Sequence, residues 1–307
     1  MTEPRPLGRR IARLIRKKLF WAAVAVPLSI AGVLGWLTEP LEAPNAIPSG
    51  HQKVQPVQPP VVAKLEVWPS TPMSGRPAMM LLLNSLRDAK GKLQEPGGYT
   101  AILYKTERLK GKLGDEQVLE MKCRNDPFAV YLKYIKPEAG KEVVYAVGHY
   151  DDHVIAHGSG FSRALIPRLK VSPTSTLALN GNRHPITEAG LLSLTNRLIG
   201  FRVMDLEDQE AETLLDRVKD KEGREWLRSL HTHTHYQSDR PFMIVEVLYD
   251  PATRIPVEIK NYDWTTAGEK GTPKLAERYR YENLKLGIKF SDADFDPANP
   301  AYAFSRF

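Results

Sequence analysis

The stretch GYTAILYKTERLKGKLGDEQVLEMKCR, residues 98–124, decides how this chain of 307 residues is expected to fold. In its second half, the apolar residues Leu119, Met121 and Cys123 alternate with charged residues. A period of two places the two sets of side chains on opposite faces of a β-strand. Two such runs on either side of the turn residues KGKLGD predict a β-hairpin with one buried face.

Similar patterns predict more strands and some helices. The further strands are expected at PFAVYLKY, EVVYAV, HVIAH, PFMIVEVLYD, RIPVEIKNYDW and LAERYRYENLKL. Apolar residues have helical spacing in PAMMLLLNSLRDAKGKL and PITEAGLLSLTNRLI, and we expect AETLLDRV and EWLRSL to continue the second helical region. Consecutive strands joined by short turns predict an antiparallel sheet with segregated helices, which is an α+β fold. The sequence contains no glycine-rich phosphate loop.

The first 37 residues are typical of a membrane anchor. Residues 1–18 contain seven Lys and Arg against a single Glu, and residues 19–37, LFWAAVAVPLSIAGVLGWL, carry no charge. As a helix, this uncharged segment would extend about 28 Å, which is close to the roughly 30 Å hydrocarbon core of a bilayer. The segment is therefore long enough to cross a membrane.

The residues at the two ends of this segment indicate its orientation. The basic residues Arg16, Lys17 and Lys18 lie on its N-terminal side, and Trp21 and Trp36 stand near its ends, where indole rings favour the interface. We predict a single-pass signal anchor in the inner membrane, with the N-terminus in the cytoplasm and the C-terminal domain in the periplasm. A cleaved signal peptide is the alternative, although the small-x-small site that it requires is poorly matched after the apolar run.

Composition divides the rest of the chain into a tether and a folded domain. Residues 38–76 are rich in proline and predict an extended, semi-rigid linker, and residues 77–307 are expected to form the α+β domain. The formal net charge is +7, but most of it lies in residues 1–18, so the domain is nearly neutral. A nucleic-acid partner is therefore not expected. Cys123 is the single cysteine, which excludes an internal disulfide.

Several stretches resemble a known bacterial family. They are GYTAILYKTERLKGKL, KCRNDPFAVYLKYIKPEAGKEVVYAVG, RHPITEAGLLSLTNRLI, IPVEIKNYDW and DADFDPANPAYAF. Together they resemble the domain-of-unknown-function family DUF1571, and the order of elements is similar to that of the LolA-like superfamily of periplasmic lipoprotein carriers. The resemblance implies a curved antiparallel sheet, an open half-barrel with helices packed on one side, around an apolar cavity that can hold acyl chains. It implies no catalytic residues.

The apolar face of the predicted sheet is the candidate ligand site. Side chains on this face would line a cavity if the resemblance holds, or would fill a closed core if the elements pack tightly. The residues expected there are Leu119, Met121, Phe128, Val130, Leu132, Met243, Val245, Val247, Val257 and Ile259.

The segment LHTHTHYQSD places His231, His233 and His235 at every second position. On a strand, residues two apart share a face at about 6.6 Å, so the outer two histidines would be about 13 Å apart. Zinc–nitrogen bonds are near 2.0 Å, so the three could bind one ion only if the backbone bent sharply. We therefore expect a solvated polar strand with no metal, and name these histidines as the candidate ligands if a metal is bound.

Other motifs carry incomplete chemical patterns. The stretch HYDDHVIAH, residues 149–157, is expected to surround a hairpin turn rather than to bind a metal. The stretch SDADFDP, residues 291–297, lacks the glycine and the bidentate carboxylate of a calcium loop, so its aspartates are expected to accept bonds from local backbone amides. The GSG at residues 158–160 lacks the frame of a nucleophile elbow, and Cys123 is expected in the core. We predict no catalytic residues and no cofactor.

The sequence as a whole predicts a membrane-tethered, extracytoplasmic domain that is not an enzyme and binds a lipid or an acyl chain. Burial of such a chain contributes about 0.8 kcal/mol per methylene. The expected partners are the membrane and a lipid or lipoprotein acyl chain, with no prediction of protein partners. Two alternatives stay open, which are a zinc-dependent hydrolase that uses the histidine clusters and a structural or assembly module of the cell envelope.

Overall fold

The computed structural model of the protein describes residues 67–160, 168–208, 210–265 and 272–304. The predicted anchor, with Arg16, Lys17, Lys18, Trp21 and Trp36, lies outside the described residues, as does most of the proline-rich linker. Within the described ranges, no helix is both long enough and apolar enough to span a bilayer.

The described residues form two α-helices and a sheet of 13 strands. The helices are α1 (Gly75–Leu93) and α2 (Leu191–Asp205). The strands are β1 (Met73–Ser74), β2 (Gly98–Leu109), β3 (Lys112–Leu113), β4 (Gln117–Asn125), β5 (Phe128–Lys136), β6 (Glu142–Ala146), β7 (Val154–His157), β8 (Leu169–Val171), β9 (Ala211–Lys219), β10 (Glu225–His233), β11 (Ile244–Tyr249), β12 (Pro256–Tyr262) and β13 (Leu275–Ile288).

Every strand pair described in the sheet is antiparallel. The strand order is β1-β9-β10-β11-β12-β13-β2-β4-β5-β6-β7-β8, with β3 paired to β2 outside this path. The two ends of the sheet are different strands that do not pair with each other, so the sheet is open. The predicted α+β class with an antiparallel sheet is confirmed.

The quoted stretch forms the hairpin expected of it. In the register between β2 and β4, Leu103 lies opposite Leu119 and Ala101 lies opposite Met121. All four side chains are buried in one core. Alternation along β4 therefore places its apolar side chains on the same face of the sheet as those of β2.

Two segments expected to be helical are strands instead. AETLLDRV lies in β9 and EWLRSL lies in β10, and the two strands form a hairpin. In β9, the adjacent apolar residues Leu214 and Leu215 hide the alternation that is expected of a strand. In β10, the burial of the side chains alternates from Leu227 to His233. The turn between the strands contains Gly223 at φ +81°, a left-handed conformation that favours glycine. Pairing across the sheet thus overrides the local helical spacing.

Helix α1 covers part of the concave face with one apolar side. Ala78, Leu82, Leu86, Ala89 and Leu93 are buried at spacings of three and four residues. The basic residues of its last turn complement the negative C-terminal end of the helix dipole.

Helix α2 begins where Gly190 packs closely on the sheet. Gly190 has φ +98°, and a Cβ atom there would lie 2.9 Å from the hydroxyl oxygen of Tyr99 and 3.1 Å from the sulfur of Cys123. The Tyr99 hydroxyl accepts a hydrogen bond of 2.8 Å from the backbone N–H of Leu191. This contact fixes the start of α2 against β2 and β4.

The two faces of the sheet carry separate apolar layers. The concave layer combines α1, α2 and inward side chains of most strands, including β2 and β13, and Trp68 belongs to it with 2% of its surface exposed. On the convex face, residues 290–304, here called the strap, pack against β5, β6 and β7. Tyr302 of the strap stacks on Tyr131 with ring centroids 4.0 Å apart. Both faces of the β5–β7 region are therefore covered.

Substitution of Gly98 by alanine is expected to destabilise the fold. The new Cβ would overlap the carbonyl oxygen of Cys123 and would lie 2.8 Å from the ring of Phe290. Overpacking of this kind costs about 1–3 kcal/mol. Gly91→Ala is the matched control, because a Cβ there meets no atom within 4 Å and alanine favours a helix by roughly 0.5–1 kcal/mol. Urea unfolding of both variants measures the difference, and equal stabilities would contradict the expectation.

Candidate functional site

The concave face of the sheet holds a cavity of about 450 Å³. Its walls come from β2, from β4 to β8 and from β13. Residues 172–190, here called the cover segment, and the first turns of α2 close it from the other side. Pockets that bind small molecules typically measure about 300–1,000 Å³, so this cavity has the size of a ligand site.

One part of the cavity wall is apolar. Leu103, Leu119 and Leu132 project from three neighbouring strands, and Val143 and Val154 continue the surface on β6 and β7. The cover segment adds Leu177, Ile186 and other apolar residues opposite them. An acyl chain lying here would contact side chains on both sides.

The structure places the ten residues expected on the apolar face in several locations. Leu119 and Leu132 line the cavity. The others lie in or beside the packed interior, as buried residues of the concave core (Met121, Val130, Val245, Val247 and Ile259), as a partly buried residue packed on that core (Phe128), as a buried residue of β12 (Val257) and as a half-buried residue (Met243). Their role as ligand contacts stays a prediction.

The part of the cavity wall next to Leu103 is charged. Along β2, the inward positions that follow Leu103 are Lys105 and Glu107. In the register with β13, Lys105 faces Tyr279 and Glu107 faces Glu277. The inner face of the β2–β13 pair therefore changes from apolar at Leu103 to charged at Lys105, the next inward residue.

The charged residues of this end contact one another. Lys105 Nζ lies 3.3 Å from a carboxylate oxygen of Glu107, whose other oxygen accepts a bond from the Tyr279 hydroxyl. Burial lowers the pKa of Lys105 and is opposed by the neighbouring Glu107. Burial, together with the charges of Glu277 and Glu107, raises the pKa of Tyr279. For Glu277, burial acts to raise the pKa, but the hydrogen bond and charge of His184 outweigh it and lower the pKa.

Three consecutive residues of the cover segment bind this charged end. Asn182 accepts a hydrogen bond from Lys105, and the backbone N–H of Arg183 donates to Glu107 at 3.1 Å. His184 Nε2 lies 2.8 Å from Glu277, which is completely buried. The cover segment is thus fixed to β2 and β13 by polar contacts at the edge of the cavity.

The predicted solvated histidine strand is wrong for two of its three histidines. His231 and His233 are buried at 0% and 2% exposure, whereas the His235 side chain is 47% exposed and pairs with Glu210. The Nε2 atoms of His231 and His233 lie 3.0 and 3.1 Å from the two carboxylate oxygens of Asp205. Asp205 is the last residue of α2, so this contact joins the helix to β10.

The Asp205, His231 and His233 group has the donor atoms of a metal site but does not fit a bound cation. Asp205 Oδ2 and His231 Nε2 have no aligned hydrogen bond, which would leave room for an ion. However, the guanidinium groups of Arg240 and Arg202 approach the same carboxylate at 2.6 and 3.0 Å. A divalent cation would stand beside two buried cations, and the three metal-binding side chains are at most 2% exposed, whereas a catalytic zinc keeps an open position for water or substrate. The arrangement does not support a zinc-dependent hydrolase.

The titration of this cluster follows from burial and charge. Burial, followed by the charge of Arg202, lowers the pKa of His231 to about 4. The Thr213 hydroxyl lies 2.8 Å from His231 Nδ1 and can donate to it when the ring is neutral. For Asp205, burial acts to raise the pKa, but the close contacts of His231 and His233 and the charge of Arg202 outweigh it and lower the pKa. The cluster is therefore a buried carboxylate held by donors.

The remaining motifs lie where the sequence indicates. His149 and His153 flank a turn that contains a short 3-10 helix, Tyr150–Asp152, between β6 and β7. The carboxylates of Asp294 and Asp296 accept bonds from the backbone N–H groups of Ser291 and Ala298, at 2.9 and 2.8 Å. Burial raises the pKa of Cys123 to about 12, which is consistent with a core thiol.

Sequence reasoning missed the charged residues that the structure brings together. Lys105 and Glu107 extend the inward phase of β2 beyond Leu103, so continued alternation could have placed them in the cavity. Asp205 extends the buried stripe of α2 that begins at Leu191. In both cases, the signal is a charged residue at a position where the periodicity of the element predicts a buried side chain. The partners across the sheet depend on register, which the sequence does not show.

The described residues form an open antiparallel sheet with a cavity on its concave face, which differs from the doubly wound parallel sheet of a nucleotide-binding fold. The chain belongs to the family described as "Protein of unknown function (DUF1571)", which matches residues 97–304. The family membership predicted from the sequence is confirmed. A search of curated proteins gives no match.

Several solved structures are similar to this chain. The lipoprotein LppX of Mycobacterium tuberculosis is 11% identical, with a TM-score of 0.40, over 71% of this chain and 100% of that one. A LolA superfamily protein from Nitrosomonas europaea is 10% identical, with a TM-score of 0.28, over 69% and 96%. An uncharacterized conserved protein from Thermus thermophilus is 13% identical, with a TM-score of 0.37, over 69% and 90%.

The protein is expected to lose stability as the pH falls from 6.5 toward 4. The folded-state pKa of His231 is about 4, against an ordinary value of 6.5. Between these two pH values, the ring is protonated in the unfolded chain and neutral in the folded chain. The stabilisation is fully present above pH 6.5 and is lost on acidification, by an amount on the order of 2–3 kcal/mol. Asp205 acts in the same direction at lower pH, because its pKa is also lowered.

Urea unfolding at pH 7 and pH 4.5 measures this loss. His231→Gln removes the titrating ring and is expected to reduce the difference between the two pH values. His235→Gln is the control, because its side chain is 47% exposed. An unchanged pH difference in the His231 variant would show that another group carries the effect.

Proposed function

We propose that this domain binds one apolar ligand, a lipid or an acyl chain, in the cavity on the concave face of its sheet. The observation that carries the proposal is a cavity of about 450 Å³ with an apolar wall on three neighbouring strands. Leu103, Leu119 and Leu132 form that wall, and the cover segment lies opposite it.

The energetics of burial suit a chain-like ligand. Each buried methylene contributes about 0.8 kcal/mol, so about ten methylenes give a gross contribution of roughly 8 kcal/mol. Association and ordering of the ligand offset part of this. The net affinity therefore rises with the number of methylenes that the cavity buries.

The lining supports binding rather than a reaction. Among the described residues that line the cavity there is no serine, threonine or cysteine to act as a nucleophile. The two lining histidines are each paired to a carboxylate, His157 to Glu142 at 3.2 Å and His184 to Glu277 at 2.8 Å. These pairs hold the elements around the cavity together.

The proposal includes a location outside the cytoplasm. The basic residues 1–18 and the uncharged residues 19–37 suit a single inner-membrane anchor with the N-terminus in the cytoplasm, and residues 38–76 suit a spacer. An anchored domain would take up or present its ligand close to the membrane. Its partners would be the membrane and a lipid or lipoprotein acyl chain.

Leu132→Trp is expected to block ligand binding by filling the cavity. Leu132 is partly buried and lines the cavity, so a larger ring projects into the space that the ligand would occupy. Ile102→Trp is the control, because Ile102 is also partly buried but alternates with the inward residues Ala101 and Leu103. Native mass spectrometry of the purified protein, with its copurifying lipid, measures the bound fraction.

The thermal stability of delipidated protein gives a second measurement. Wild type and Ile102→Trp are expected to melt at a higher temperature when dodecanoate or phospholipid is added, and Leu132→Trp is expected to gain little. No copurifying lipid, together with unchanged melting of the wild type across the lipid panel, would contradict the proposed function.

A further inference from the structure

Two carboxylates at the charged end of the cavity, Glu107 and Glu277, are fully engaged, while a third, Glu188, has longer contacts of 3.4 and 3.5 Å with Arg197 and His184. The two carboxylate oxygens of Glu107 receive the Tyr279 hydroxyl and the backbone N–H of Arg183. Those of Glu277 receive the amide of Asn261 at 2.7 Å and the ring of His184 at 2.8 Å. These two carboxylates therefore have little remaining capacity for a donor on a ligand.

Donors at the same end are in surplus. The ammonium of Lys105 has three N–H groups, and its acceptors are Asn182 and Glu107. Arg197 has five N–H donors, and its Nη1 contacts Glu188 and His184, both at the long distance of 3.4 Å. Its Nε and Nη2 atoms have no acceptor within the described part of the chain. Both cations line the cavity.

The two donors belong to one end of the cavity. Lys105 binds Asn182 of the cover segment, and Arg197 contacts His184, two residues further along the same segment. The apolar wall begins at Leu103, the next inward residue on β2 before Lys105. A molecule lying along β2 would thus meet apolar side chains first and the donors of Lys105 and Arg197 next.

We propose that the ligand is a single-chain amphiphile with an anionic oxygen-rich head, a carboxylate or a phosphate, bound by Lys105 and Arg197. Its acyl chain lies along Leu103, Leu119 and Leu132. This inference rests on the proposed function and adds the chemical class of the ligand. Ionised acceptors form the strongest hydrogen bonds with lysine and arginine, so an anionic head uses the surplus donors better than a hydroxyl does.

The environment of Lys105 favours the same head group. Its side chain is 12% exposed, and burial lowers the pKa of its ammonium. An anion in contact with Lys105 would favour the charged form and raise that pKa. Binding of an anionic head would therefore compensate part of the cost of burying this cation.

Competition between matched probes tests the head group. Full-length protein in amphipol is labelled with a photoreactive dodecanoate, and unlabelled dodecanoate, dodecyl phosphate and dodecanol are compared as competitors. The chain is the same in all three, so differences report the head. In the wild type, at least one anion is expected to compete at a concentration about tenfold lower than dodecanol, which corresponds to one strong charge-assisted hydrogen bond. The ratio of the two anions distinguishes a carboxylate from a phosphate source.

Arg197→Gln tests the residue assignment and is expected to reduce the preference for the anion over dodecanol by about tenfold. Arg217→Gln is the matched control, because Arg217 pairs with Glu225 on β10 at nearly equal side-chain exposure, 33% against 32%, and does not line the cavity. Lys105→Met supplies a second test, with its fold verified by circular dichroism.

The outcomes separate this inference from the proposed function. Loss of the anion preference in Arg197→Gln, with the preference retained in Arg217→Gln, supports the inference. Equal competition by dodecanol and both anions in the wild type overturns it but leaves apolar binding intact, as does an unchanged preference in both Arg197→Gln and Lys105→Met. A wild type that binds none of the three dodecyl compounds overturns the proposed function itself.

Discussion

Strand β2 pairs with β4 on one side and with β13 on the other, and the second pairing unites two halves of the sheet. On the sheet path, β9 to β12 reach β4 to β8 through β13 and β2. The same pair carries the change from Leu103 and Tyr281 to Lys105, Glu107 and Glu277. One register therefore determines the continuity of the sheet, the apolar wall of the cavity and its charged end. A slip by one residue would turn each inward side chain to the opposite face.

Two buried polar groups hold helical or irregular elements to this sheet, and they differ in what surrounds them. Asp205 joins α2 to β10 within a cluster that does not line the cavity, whereas Glu277 joins the cover segment to β13 beside the cavity. A buried ion pair adds little net stability, because desolvation offsets the attraction. Removal of one partner of such a pair is strongly destabilising, however, because it leaves the other charge buried and unpaired. Each group therefore holds the element that it binds in one position. We infer that the Asp205 cluster is structural, while the network of Glu277 positions the donors proposed for the ligand head.

The sequence predicted the fold class well where alternation was clear and the turn was short. The hairpin of residues 98–124, helix α1 and the strands after residue 240 follow from local periodicity. It failed at β9 and β10, because spacings such as that of Leu227 and Leu230 suit a helix as well as a strand and pairing decided between them. The cavity was predicted as a face, but its charged end was not, since the contact of Lys105 with Asn182 joins residues distant in sequence. The sequence placed His231 and His233 on a strand. It did not show that they are buried against Asp205, because Asp205 lies on another element, α2.

The strap has a consequence for the order in which the chain becomes protected during synthesis. Tyr131, Val144 and Ile155 on the convex face pack beneath Phe295, Tyr302 and Phe304, which are translated more than a hundred residues later. At about 5–20 residues per second, this interval is on the order of 10–30 s. Throughout it, the convex apolar side of β5 to β7 lacks the strap, and exposed apolar surfaces promote aggregation of nascent proteins.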